Sequence, residues 1–464
     1  MTIQTIRGKL DEETIMDDIS NDKPIETQPT TIINMQANID EDKLAKLRAK
    51  LAAKNKDTEM TSNHIATVKK EKSINFGVVG SGQAGSKLAE CFYKLGYDSV
   101  AINTATQDLK FIDIPDSNKL HLAHGLGGAA KDLQIGHEAA EKYRAQITEL
   151  VNTQLADAQV LMLCFSLGGG SGAGSAETLI SVLNETNKPI VVIAALPMDS
   201  EGSQTKTNAL QTLSKLSKLV QSKKINNLIV VDNAKIESVF NGVNQIDFFN
   251  VANKAIIDPL DMFNTVSAMP SSVKSLDSME FAKLLIDGEG LSVYGTIKVN
   301  NYSQEDAIAE SVIENLNGNL LAAGFDLKQS KYVGIVVAAN AKVWESISAA
   351  SINYATALLE DQCGHPNEVF KGIYVIDTPE DCVIIHSFFA GLGLPSERVE
   401  QLKKETLSLA DTAKSKDTNR NLTLHLDTGT NPVISKTQEI KNKIAAKSSA
   451  FGKLTSSTII DRRK

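Results

Sequence analysis

Twice in this chain a short apolar run ends in a cluster of glycines that opens a helix-patterned segment. Residues 74–79 lead into Gly80-Ser81-Gly82-Gln83-Ala84-Gly85, and residues 160–165 lead into Gly168-Gly169-Gly170-Ser171-Gly172-Ala173-Gly174-Ser175. Glycine lets the backbone approach a ligand closely, and a helix N-terminus presents unpaired N–H groups that favour an anion. Consecutive free amides can converge on one phosphate. A third loop, Gly125-Leu126-Gly127-Gly128-Ala129-Ala130 followed by Lys131 and Asp132, suits a terminal phosphate. The second loop does not end in Gly-Lys-Ser/Thr, so it is not a Walker loop. The first matches the dinucleotide fingerprint G-x-G-x-x-G. That reading needs a carboxylate at the end of the next strand, which instead closes Ala101-Ile102-Asn103-Thr104, with Asp98 before it and Asp108 beyond. A nicotinamide-dependent oxidoreductase is thereby weakened, and two phosphate-type loops in one sheet point to a nucleoside triphosphate.

The rest of the pattern predicts an α/β protein. Strand-like runs at 74–79, 99–103, 160–165, 190–195 and 228–231 alternate with helical stretches at 86–95, 135–155, 173–183 and 206–220. Such alternation predicts a parallel sheet with helices on both faces, and ligands bind such sheets at the carboxyl ends of the strands. Residues 246–275 are helix-patterned but contain Pro259 and Pro270, and Pro259 is expected to kink or break any long helix there. A second alternating region follows: strand 291–299, helix 304–316, strand 332–338, helix 342–359, successive strands 370–376 and 382–388, and helix 395–409. It predicts a smaller α+β domain. The expected divisions are an N-terminal extension (1–72), a nucleotide-binding domain (73–245), a central helix with its following loop (246–280), the α+β domain (281–412) and a tail (413–464).

Residues 1–31 are polar and acid-rich, which favours disorder. Within 41–56, Leu44, Leu47 and Leu51 recur at helical spacing among lysines, predicting a short amphipathic helix that serves either as a surface helix or as a docking element. The stretch 433–464 carries eight Lys/Arg against two acids, whereas the whole chain has a formal charge of −8. The molecule as a whole is therefore not built to bind nucleic acid, although its tail is basic. The four cysteines, Cys91, Cys164, Cys363 and Cys382, form no CxxC pair. Three of them (Cys91, Cys164 and Cys382) sit in apolar runs as reduced core thiols, which suits a reducing cytoplasm. Asp11, Glu12 and Glu13 do not suit a signal segment, and the apolar runs are too short to span a membrane.

Taken together, these landmarks resemble the tubulin/FtsZ superfamily over about residues 74–409. Gly168–Ser175 is similar to its glycine-rich signature, Gly82-Gln83-Ala84-Gly85 to its first phosphate loop, Asn103 and its neighbours to the segment after the second strand, and residues 125–136 to its third loop. Pro197–Gly202, reading P-M-D-S-E-G, resembles the loop near the sugar. The resemblance implies a GTP site formed by Gly82, Gln83, Ala84, Gly85, Asn103, Gly127, Gly128, Ala129, Gly169, Gly170, Ser171, Gly172 and Glu201, with Mg2+ as counter-ion. It also implies a base pocket of Asn233 and Asn253 with Phe249 stacked on the guanine. Asp277 and Glu280 match a D-x-x-D/E loop whose acids activate water on the nucleotide of the next subunit. The run 388–399 is similar to the plasmid and phage TubZ-like branch. The family thus implies a cytoplasmic homopolymer that hydrolyses GTP at subunit junctions, with a role in plasmid or phage DNA positioning; the basic tail serves a DNA-bound adaptor, filament-to-filament contact, or solvation alone. A family member that binds nucleotide without hydrolysing it is the alternative.

Overall fold

The computed structural model describes residues 71–418 except 241 and 305. The amphipathic segment at 41–56 and the basic tail lie outside the described residues. Six parallel strands come first: β1 (Phe76–Ser81), β2 (Asp98–Asn103), β3 (Lys119–His121), β4 (Val160–Ser166), β5 (Ile190–Leu196) and β6 (Asn227–Asp232). Between them run α1 (Gly82–Lys94), α2 (Thr106–Lys110), α3 (Leu133–Lys142), α4 (Arg144–Gln154), α5 (Gly170–Glu185) and α6 (Ser203–Gln221). Then follow α7 (Asn233–Val239), α8 (Gln245–Val266), α9 (Ser278–Ile286), β7 (Leu291–Val299), α10 (Ala307–Glu314), β8 (Tyr332–Ala339), α11 (Ala341–Trp344), α12 (Ala349–Gln362), β9 (Glu368–Val375), β10 (Val383–Leu392) and α13 (Ser396–Thr418).

All ten strands form one sheet in the order β3-β2-β1-β4-β5-β6-β7-β10-β8-β9. The two halves join where Leu228 and Ile229 of β6 pair in parallel with Leu291 and Ser292 of β7. Every residue of β5 is buried, as expected of a strand covered on both faces. Neighbouring strand residues feed opposite cores. Val79, Leu163 and Val192 pack with α5 and α6, while Val78, Met162 and Val191 pack with α1, α8 and α9.

Two expectations are corrected by the structure, and the strand order adds a third finding. Pro259 does not end the helix: α8 runs unbroken through it for 22 residues. Proline leaves the carbonyl four residues back, that of Ala255, without its helical donor. Burial of Ile256, Ile257, Leu260 and Phe263 holds the turn, and the Tyr294 hydroxyl donates to the Ile256 carbonyl at 2.5 Å. The stretch 342–359 is two helices, because Ser348 caps α12 by accepting from the Ser351 N–H. The successive strands β9 and β10 are not paired with each other. β10 is buried almost throughout and inserts between β7 and β8, whereas β9 alternates in exposure and takes the edge.

Candidate nucleotide site

At the carboxyl ends of β1, β2, β4, β5 and β6 lies a cleft of about 500 Å³. It is the place where an open parallel sheet holds ligands. The turn from β1 into α1 brings Ser81, Gly82, Gln83 and Ala84 to its wall, and the turn from β4 into α5 brings Gly168, Gly169, Gly170, Ser171 and Gly172. Both helices therefore aim their unpaired N-terminal amides into the cleft, where an anion is stabilised. Gly82 sits at φ +70°, and a Cβ there would lie 2.9 Å from the Gly172 nitrogen. Glycine is required by both the conformation and the close approach of the two loops.

The glycines divide their labour. Gly85 does not line the cleft; a Cβ on it would lie 2.0 Å from the Cys164 carbonyl oxygen, so its smallness lets α1 press against β4. Gly136 and Gly174 similarly let α3 and α5 cross, with a Cβ on Gly136 lying 2.2 Å from the Gly170 carbonyl. Gly85→Ala is expected to cost about 1–3 kcal/mol or more through overpacking against backbone, read as a lower denaturation midpoint without loss of any cleft-lining group.

The third loop contributes Gly128, Ala129, Ala130 and Lys131, while Gly127 stays outside the lining. Its shape depends on left-handed residues, with φ of +77° at Gly128, +44° at Ala130 and +64° at Lys131. Gly128 N–H donates to the Thr104 carbonyl, and Asp132 caps α3 by accepting from the Gln134 N–H. Asn103 is 1% exposed and donates to Asp108 at 2.9 Å, placing both in the wall.

The opposite end of the cleft is formed by Met198, Glu201, Thr205, Asn233 and Phe249. Glu201 accepts from the Met198 N–H at 3.1 Å, which folds the loop back on itself. Phe249 is half exposed and packs edge-on against buried Phe248, leaving an aromatic surface at the start of α8. Asn253 lies one turn further along α8, half-buried and outside the cleft lining.

Behind the sugar-end loop lies a charge cluster that sequence reasoning missed. Arg398 of α13, 5% exposed, donates to Asp232 at 2.7 Å and pairs with Asp199 at 3.0 Å. Lys206, also buried, bonds the Asp199 carbonyl and Glu405 of α13. Burial pushes the Asp232 carboxyl above its ordinary range, and Arg398 pulls it back. Asp232 also caps α7, whose first residue is Asn233, so α13 braces both loops at this end of the cleft.

Asp277 and Glu280 do not line the cleft. They form a reciprocal capping box on α9: Asp277 accepts from the Glu280 N–H at 2.8 Å, and Glu280 accepts from the Asp277 N–H at 3.0 Å. Helix α8, about 33 Å long at roughly 1.5 Å per residue, carries Phe249 of the cleft near its start, and Ser278, beside the acids, donates to the Ser267 carbonyl just past its end. Near its far end, Asn264 bonds both backbone groups of Ile74, at the amino end of β1 and thus opposite the cleft. The acids stand on the other side of the molecule from the phosphate loops of the same chain.

Residues 59–241 match the model described as Tubulin/FtsZ family, GTPase domain, and residues 262–403 match the C-terminal domain of Tubulin/FtsZ-like protein TubZ-like. The chain belongs to the tubulin/FtsZ family. Residues 59–241 are a GTPase domain, which displaces the dinucleotide reading. Among curated relatives, the tubulin-like protein TubZ of Bacillus cereus is 26% identical over 379 residues, covering 74% of this chain and 86% of that protein. The tubulin-like protein CetZ of Pyrococcus abyssi is 24% identical over 329 residues, covering 68% and 85%. Among solved structures, TubZ of Bacillus thuringiensis serovar israelensis in a GTPγS-form protofilament superposes with a TM-score of 0.68 at 18% identity, covering 76% of this chain and 96% of that one. This likeness shows the family fold, with its tubulin-like GTPase half and TubZ-like C-terminal half.

Proposed function

We propose that this family member is a GTPase that assembles head to tail and completes its active site at each junction between copies. The observation that carries the reading is the placement of the cleft and of Asp277 and Glu280 at opposite ends of one molecule. One copy would present GTP on its glycine loops. The next would present the two acids, which orient the attacking water and stabilise charge as the terminal phosphate leaves. A contact between two different surfaces repeats into an open filament. Exposed apolar side chains support such a contact at both ends: Phe111 and Leu126 on the cleft side, Val273 and Met279 beside the acids. Similar TubZ proteins have been solved as a protofilament and as a two-stranded filament.

At the base end, Asn233 and Phe249 would hold guanine, with Asn253 contributing by family likeness; a mismatched base leaves buried amides unpaired. The described carboxylates lining the cleft are Asp108 and Glu201, and no cluster of three potential metal ligands occurs among the described residues. That donor set fits Mg2+ carried on the phosphates, where it would neutralise charge, with Asp108 as the residue to share it. No helix among the described residues is long and apolar enough to cross a membrane. We read the polymer as cytoplasmic. One similar TubZ is described as a plasmid segregation protein, and the basic stretch 433–464 suits a DNA-bound adaptor.

Sedimentation of the full chain with GTP, GDP or ATP, with phosphate release followed in parallel, tests this. Pelleting and phosphate release with GTP alone are expected. Pelleting without release would identify a non-hydrolysing scaffold, and a protein that stays in the supernatant at saturating GTP would end the polymer reading.

A further inference from the structure

The glycine loops offer amides and helix ends to the nucleotide, but these are partial charges against a triphosphate. Among the described residues that line the cleft, one side chain carries a full positive charge: Lys131. Its backbone is placed with care. A Cβ on Gly170, the first residue of α5, would lie 2.9 Å from the Lys131 Cα, so the loop rests directly on the helix N-terminus that receives phosphate. The Lys131 carbonyl accepts from Asn208 at 2.7 Å, and Asn208 is itself 1% exposed and also donates to the Gly168 carbonyl. Ala130 and Lys131 both hold a left-handed φ, a conformation that costs a non-glycine residue of order 1–3 kcal/mol and persists where the surroundings enforce it. The Lys131 ammonium reaches across the cleft, donating to Thr205 Oγ1 at 2.6 Å and lying 3.4 Å from Glu201 Oε1. Half of its side chain remains exposed, so it is free to reorient.

We infer that Lys131 is the cation that binds the phosphate chain of GTP, exchanging its resting contacts with Thr205 and Glu201 for phosphate oxygens. The exchange leaves Glu201 free to face the sugar, and it couples filling of the phosphate end to rearrangement of the sugar end. The attraction of this one fixed charge grows with the negative charge of the phosphate chain, which gives the site a preference for the triphosphate over its product. The inference rests on GTP occupying this cleft.

The test compares wild-type, K131N and K131R full-length protein by equilibrium titration with GTP, GDP and GMP. Asparagine tolerates the left-handed backbone, so K131N removes the charge while keeping the loop. A charge-assisted contact to phosphate predicts a loss of about tenfold or more in GTP affinity for K131N. The loss should be smaller for GDP and smallest for GMP, K131R should recover most of it, and the salt dependence of GTP binding should weaken. An equal loss for all three nucleotides would place Lys131 on the sugar loop alone, and unchanged affinities would give it no role; either overturns the inference. Melting of each variant without nucleotide separates misfolding from lost contact, and a collapse confined to K131N leaves K131G, whose glycine suits the left-handed backbone and also removes the charge, as the deciding variant, expected to show the same graded loss. Wild-type protein that binds no GTP would instead refute the site itself.

Discussion

Glu280→Gln is expected to bind GTP and pellet like wild type while releasing phosphate at least about a hundredfold more slowly, the scale of a lost acid–base or water-positioning group. The choice of glutamine follows from the structure. Glu280 closes the capping box with Asp277, so an alanine would remove both the carboxylate and a helix cap, the latter typically a matter of about 1 kcal/mol. Glutamine is the alternative residue of that motif and its amide oxygen still accepts from the Asp277 N–H. A mixing experiment then asks where the carboxylate acts. Gly128→Asp serves as the cleft-defective partner: a Cβ there has no neighbour closer than 4.0 Å, aspartate is among the residues that tolerate its left-handed φ, and the added charge repels phosphate. Each variant alone should be inactive. Together they should recover phosphate release, because a junction pairing the E280Q cleft with G128D acids is complete. No recovery in co-pelleting mixtures would mean that the acids do not act across the junction.

Arg398→Met is expected to cost about 3–5 kcal/mol of folding stability, the range for removing one partner of a buried ion pair. Asp232 is 2% exposed and its carboxylate would be left facing the remaining acids Asp199 and Glu405. The pH dependence has a definite sign. Burial already raises the Asp232 carboxyl, with Arg398 as the leading opposing influence, so the variant's carboxyl rises further. A carboxyl raised in the folded state favours folding below its unfolded pKa and loses that advantage as pH climbs through the folded value. The deficit of the variant should therefore be larger at pH 7 than near pH 4, measured as denaturant midpoints at each pH. A uniform deficit would mean that the loss is packing, not charge. GTP affinity should fall in parallel, since Asp199 and Asp232 anchor the two loops that carry Met198, Glu201 and Asn233.

The glycine-loop end of the cleft was legible in the chain itself. Strand, glycine cluster and helix are contiguous there, so a cradle made of successive backbone amides is written as consecutive residues. Gly82, Gln83, Ala84, Gly128, Ala129 and Gly169–Gly172 stand in the cleft wall as the pattern implies. What distinguished a ligand glycine from a packing glycine was not legible. Gly85 has the same place in the motif as its neighbours, yet it is required by the Cys164 carbonyl on another strand. The Asp277–Glu280 pair matched a family loop by resemblance, and only the folded chain shows that the two residues also cap α9 reciprocally.

Other features belonged to tertiary structure alone. Proline survives inside α8 because the helix residues around it, Ile256, Ile257, Leu260 and Phe263, are buried against the sheet, where Tyr294 also ties the Ile256 carbonyl. β10 takes the centre of the second half-sheet although β9 precedes it. Arg398 and Lys206 read in sequence as ordinary cations and become buried only when α13 docks behind the sugar-end loop. Lys131 was visible beside its glycines, but that it is the one cation among the described residues of the cleft lining was not. Local backbone geometry depends on neighbours in the chain and is encoded there. The energy of a buried charge, a tolerated proline or a close backbone crossing depends on groups many residues away, and only folding brings those together.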